Sequence, residues 1–159
     1  MALEGHGVTF TGSNKELVVA YYRTVVGDGR LEEISKFIAD SYIDHNASAE
    51  AGQGPNAVKT HLEAIRRTFP DFTLQVHEVI SEGDWIAVRV TAEGTHLGEW
   101  LGIKPTGKRI SLRGINLDRV ANGLIVEHRG EADSMGMLVQ MGLNPFEAPN
   151  NSPESARGK

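Results

Sequence analysis

Cysteine is absent from the 159 residues, which removes disulfides, a thiol nucleophile and any thiolate metal site. Long apolar runs are absent too, and a stretch of a few residues cannot span a bilayer. Positive charge is in the minority: 16 Lys and Arg stand against 21 Asp and Glu, for a net charge of −5. That balance speaks against a broad nucleic-acid-binding surface. The first residues, Met1-Ala2-Leu3-Glu4-Gly5-His6-Gly7, offer no basic segment followed by an apolar one, so no secretory signal is expected. A cytoplasmic protein with neither membrane nor nucleic acid as partner is the expectation. No Gly-x-Ser-x-Gly elbow marks a serine hydrolase. The six His, at 6, 45, 61, 77, 96 and 128, include no His-x-x-x-His pair, so no metal is expected.

What is present is an ordinary globular mixture, 40% hydrophobic and 23% charged, long enough for one self-sufficient core. Residues 1–12 lack periodicity, and residues 144–159 are rich in Pro and small polar groups, so both read as tails. The folded body is expected over residues 13–143.

The first half of that body has helical spacing. Ser13-Asn14-Lys15-Glu16 is a capping box, and Leu17, Ala20, Tyr21, Thr24 and Val25 follow on one face. Leu31, Ile34, Phe37 and Ile38 predict a short second helix. Gly54-Pro55 opens a third, with Val58, Leu62, Ile65 and Phe69 inward. The second half alternates. Phe72, Leu74 and Val76 begin a strand, and Ile86, Val88, Val90 and Ala92 share one face of the next. Asn122-Gly123 is a hairpin signal joining strands over 110–120 and 124–133. A last helical piece covers 135–141. Helices followed by antiparallel strands predict an α+β fold, a curved sheet with the N-terminal helices across its concave face and a pocket between the layers. Apolar residues on both faces of the strands, such as Trp85 and Ala87 opposite Ile86 and Val88, predict a homodimer through the exposed side.

One segment imitates a nucleotide site. Gly102-Ile103-Lys104-Pro105-Thr106-Gly107-Lys108 fits the first seven places of a phosphate-binding loop, but Arg109 replaces the Ser or Thr that would bind magnesium. A strand follows where the motif needs a helix. An inter-strand loop is the better reading.

Three stretches carry a family likeness. They are Tyr42-Ile43-Asp44-His45-Asn46, the run from Gly94 through Trp100 to Arg109, and the run from Gly123 through Glu127-His128-Arg129-Gly130-Glu131-Ala132-Asp133 to Gly142. In order and spacing the chain resembles the SnoaL-like polyketide cyclases of the nuclear-transport-factor-2-like superfamily. The resemblance implies a cone-shaped α+β barrel, often dimeric, with a deep apolar pocket for a small hydrophobic molecule. It implies aldol-type ring closure or a related proton transfer without metal or cofactor, with an Asp near the end of the last strand as acid/base. Asp133 holds that place. It also departs from the family pattern, with Arg129 at a Trp position and Glu131 at an apolar one.

The candidate catalytic residues are therefore Asp133, His45 and His96. Asp133 also sits where Asp caps a helix, and both roles stay open. His45 adjoins an expected rim loop, and His96 has the parity of the apolar strand face. Strand alternation puts Arg129, Glu131 and Asp133 on one face, which would be the pocket face, and turns His128 away from it. Arg129, Glu131, Asn46, Trp100 and Asn116 complete the expected substrate-binding set. His61 and His77 read as surface or packing residues, and Tyr22 as wall. Two alternatives accompany the cyclase reading. One is an epoxide-hydrolase-like activity through an Arg–carboxylate cluster drawn from Arg129, Arg113 and Asp118. The other is a non-catalytic ligand-binding or scaffold member of the superfamily.

Overall fold

The computed structural model describes residues 12–48 and 52–144. The expected tails fall outside them except for Gly12 and Asn144. Helix α1, Asn14–Tyr21, starts at the capping box: Ser13 Oγ accepts from the Glu16 amide, and the Glu16 carboxylate takes the Ser13 amide at 2.7 Å. It runs on into a π-helical turn, Tyr22–Gly27. The wider turn lets adjacent residues face inward in pairs, so Tyr21 and Tyr22 are both buried, as are Val25 and Val26. Arg66 closes this turn from across the fold, donating from Nη2 to the carbonyls of Val26 and Gly27 at 2.8 and 2.7 Å.

The expected second helix is a 3-10 turn over Leu31–Lys36, and Ile38 already belongs to strand β1, Ile38–Asp44. Helix α2, Gly54–Thr68, has Pro in its first turn and buries Val58 and Leu62. Four long strands follow: β2 Thr73–Glu82, β3 Trp85–Thr95, β4 Arg109–Ala121 and β5 Leu124–Ala132. Helix α3, Ser134–Gln140, completes the described chain.

The five strands form one sheet in the order β1-β5-β4-β3-β2, antiparallel except for β1 beside β5. Asn122 and Gly123, both at positive φ, make the hairpin between β4 and β5. The helices cover the concave face. Leu17, Val18, Val25, Ile86, Val88, Val120 and Ile125 are at most 1% exposed. Burial of each such side chain contributes on the order of 1.5–3 kcal/mol. A second cluster, Ile110, Met137 and Met141, seats α3 and the Trp100–Ile103 turn at the far end of the sheet.

One irregularity governs the site. The β4–β5 register shifts between Arg119 and Val120, so that Val120 pairs with Ile125 and Asp118 with His128. The extra residue on β5 lets Ile125 and His128, three apart, face the same concave side.

Candidate active site

Between the sheet and the helices lies a cavity of about 630 Å³. Its walls are mostly aromatic and aliphatic, from Tyr21, Tyr42, Leu62, Phe69, Phe72 and Trp100. That is the size and character of a small-molecule pocket. The polar groups gather at one region of the wall, where β1, β5 and β4 lie side by side. Asp44 is the register partner of His128 across β1 and β5, and Asp118 is its partner across β5 and β4. His128 therefore stands between two carboxylates.

The bonding is specific. His128 Nδ1 meets Asp118 Oδ1 at 2.8 Å, and the Tyr22 hydroxyl donates to Asp118 Oδ2 at 2.7 Å. Asp118 is 1% exposed, so both of its oxygens are committed in a dry setting. Burial works against the His128 cation. The bond to Asp118, the Asp118 charge and the Asp44 charge outweigh it and raise the imidazole above its ordinary range. Burial and the Asp118 charge push the Tyr22 phenol far up, so it remains a proton donor. With Nδ1 engaged by Asp118, Nε2 is the ring nitrogen that borders the space at Gly130. A Cβ added to Gly130 would stand 3.1 Å from His128 Nε2 and 2.8 Å from Asn116 Oδ1. The missing side chain keeps the space beside both groups open to the cavity. Asn46 fixes the same stretch of β5 by a two-point bond, Nδ2 to the Gly130 carbonyl at 2.7 Å and the Gly130 amide to Oδ1 at 2.6 Å. His61, on α2, also lines the cavity, and burial lowers its pKa.

The expected site residues separate into two groups. Asn46, Trp100 and Asn116 line the cavity, and Glu131 stands at its exposed edge. Asp133, His45, His96 and Arg129 are not among its lining residues. Asp133 is the N-cap of α3: Oδ1 accepts from the Gly136 amide at 2.9 Å and Oδ2 from Arg113 at 3.0 Å. These two bonds hold its carboxyl below the usual range. Of the two roles open to it, its oxygens serve the cap. His45 Nε2 pairs with Glu127 at 3.1 Å, on the side of β5 opposite His128. His96 is fully buried behind Phe69, where its Nδ1 takes the amide and hydroxyl of Thr106. Arg129 lies over the Trp85 ring at 4.9 Å, on the outer face.

The parity expectation is thus corrected. Within β5 it is His128, Gly130 and Ala132 that face the cavity, and Arg129 faces away, because Asp133 lies past the end of the strand and turns into the cap. The Arg–carboxylate cluster is not assembled: Arg113 pairs with Asp133, Arg129 with Glu127, and Asp118 with His128 and Tyr22. His61, read as surface or packing, opens to the cavity. Among the described residues no group of three or more His, Asp or Glu converges as a metal cluster, and no helix is long and apolar enough to cross a membrane.

Fold and cavity together define a helix-covered curved sheet of the kind that the three sequence stretches imply. The chain belongs to the SnoaL-like polyketide cyclase family, whose profile matches residues 16–141. Among its relatives is the nogalonic acid methyl ester cyclase of Streptomyces nogalater, 30% identical over 117 residues that cover 72% of this chain and 87% of that protein. The aklanonic acid methyl ester cyclase DnrD of Streptomyces peucetius is 27% identical over 124 residues, covering 76% and 85%. Of solved structures, IdmH from Streptomyces antibioticus superposes with a TM-score of 0.71 at 29% identity, covering 83% of this chain and all of that one. TsrD from Streptomyces laurentii, at 23% identity and a TM-score of 0.74, covers 81% and 94% and shares the fold.

Proposed function

We propose that the protein is a polyketide-cyclase-type enzyme that performs cofactor-independent acid/base chemistry, an aldol-type ring closure, on a small, largely apolar carbonyl compound, with His128 as the proton donor. The observation that carries this reading is the Tyr22–Asp118–His128 chain in the wall of an apolar cavity. A ring closure places negative charge on a carbonyl oxygen, and a cationic imidazole with its free N–H toward the cavity can protonate it. Asn116 Oδ1 borders the same open space at Gly130 as that nitrogen. The relatives' names supply a substrate class, methyl esters of acids such as nogalonic and aklanonic acid.

The test uses aklanonic acid methyl ester as substrate. His128→Gln retains a polar side chain but no titratable proton. Its cyclisation rate is expected to fall by roughly 10²–10⁴, with affinity little changed. An unchanged rate overturns the reading. Binding without turnover by the parent protein marks a ligand-binding member of the family instead.

A further inference from the structure

We infer that Asp44 is the base that takes the carbon-bound proton, leaving His128 to act only as acid. This rests on the donor role proposed for His128. A ring closure needs two proton-handling groups at once. One removes a proton next to a carbonyl, and the other delivers one to the oxygen of the carbonyl being attacked. His128, bonded through Nδ1 to Asp118 and delivering the proton from Nε2, cannot take the carbon-bound proton in the same step.

Asp44 has the properties of the missing partner. It ends β1 in register with His128 and lines the cavity, so the two side chains are neighbours on one face of adjacent strands. The Asn46 amide donates to Asp44 Oδ1 at 2.8 Å and orients the carboxylate. Its other oxygen has no hydrogen bond among the described residues. Asp118, the second carboxylate beside His128, is spent on both oxygens. The groups facing Asp44 are His128 from β5, His61 from α2, Tyr21 from α1 and Tyr42 from β1, and its charge acts on all four. Among the described residues no Lys or Arg lines the cavity to neutralise it.

The step balances. Asp44 takes the proton of the acidic C–H, and that electron pair becomes the enolate. The enolate carbon attacks the second carbonyl carbon and forms the new C–C bond. The C=O π pair moves onto oxygen, which takes the proton from His128 Nε2. Asp44 is left protonated and His128 neutral. Passage of one proton from Asp44 to His128, its register partner on the adjacent strand, restores the starting state.

Deuterium exchange separates the two roles. Aklanonic acid methyl ester is incubated with the protein in deuterium oxide, and label at the acidic carbon and cyclised product are followed by mass spectrometry. Asp44→Asn keeps the acceptor for the Asn46 amide and is expected to lose exchange and cyclisation together, by at least about 10²-fold. His128→Gln is expected to lose cyclisation while exchange persists. Asp44→Glu keeps a carboxylate and should retain exchange within about tenfold of the parent. Parent-rate exchange by Asp44→Asn, or equal loss in Asp44→Asn and Asp44→Glu, overturns the inference and leaves the reading of His128 standing. Parent-rate cyclisation by His128→Gln overturns that reading itself, as does absence of both exchange and cyclisation with the parent protein.

Discussion

Two carboxylates hold cationic partners at opposite settings in this fold. Asp118 meets His128 and Tyr22 inside the wall of the cavity, where it is 1% exposed. Asp133 meets Arg113 and the Gly136 amide of α3 at the surface, with side chains 40% (Asp133) and 73% (Arg113) exposed. Both are well-formed charge-assisted bonds at 2.8 and 3.0 Å. They differ in what surrounds them. In the dry wall each partner loses water it cannot recover, so removing one group strands the others. At the surface water replaces a lost partner, and salt screens the pair. Chemistry that depends on a perturbed proton belongs at the first place and not the second.

The largest expected effect follows from breaking the inner network. Asp118→Ala removes the acceptor of both Tyr22 and His128 and leaves a buried hydroxyl and imidazole without a partner. We expect a loss of about 3 kcal/mol, the usual cost of removing one member of a buried pair. For a chain of this length that is a fall of about 6–12 °C in melting temperature, measurable by calorimetry. A fall under about 2 °C would mean that the network contributes no more than a surface pair.

A smaller effect sharpens the same contrast through pH. The folded state holds the His128 proton more tightly than the unfolded chain does, because Asp118 and Asp44 outweigh burial. A raised folded pKa contributes stability that is fully present below the unfolded value, about 6.5, and is lost as pH rises through the folded value. The parent protein should therefore lose stability as pH rises from about 6.5 through the folded value, and His128→Gln should not show that slope. Denaturant titrations at stepped pH check this. Parallel curves for the two proteins would remove the coupling between His128 and its carboxylates.

Local chemistry made the fold readable. The Ser13–Glu16 box, the Gly54-Pro55 start and the Asn122-Gly123 turn are each fixed by a few neighbouring residues, and each stands where its residues require. The alternation of Ile86, Val88 and Val90 fixed the concave face in the same way. The site was only partly readable, because it depends on two features with no local signature. The π-helical turn brings Tyr22 inward beside Tyr21, so a residue read as wall becomes the donor to Asp118. The shift on β5 is set by pairing with β4, and no periodicity within 124–133 reveals it. Nothing local singles out His128, one of four ionisable residues in β5 with Glu127, Arg129 and Glu131, and its partner Asp118 lies ten residues away on another strand. Asp44 stood inside the quoted Tyr42–Asn46 stretch, yet only the parallel pairing of β1 with β5 sets it against His128.

Asp133 tests the outer half of the comparison and carries the smallest expected effect. Its oxygens cap α3 and pair with exposed Arg113. Asn is as good a cap as Asp, so Asp133→Asn should leave the melting temperature within about 2 °C, while Asp133→Ala, which removes the acceptor, should lower it by a few degrees at most. Neither should change the cyclisation rate appreciably, since the carboxylate, held ionised by its two bonds, has no proton to give at neutral pH. The same residue was the leading acid/base candidate by its place after the last strand, which makes the rate the decisive measurement. A loss of 10²-fold or more in Asp133→Asn, with stability unchanged, would move the chemistry from the Asp118–His128 wall to the rim and require α3 to release its cap during turnover.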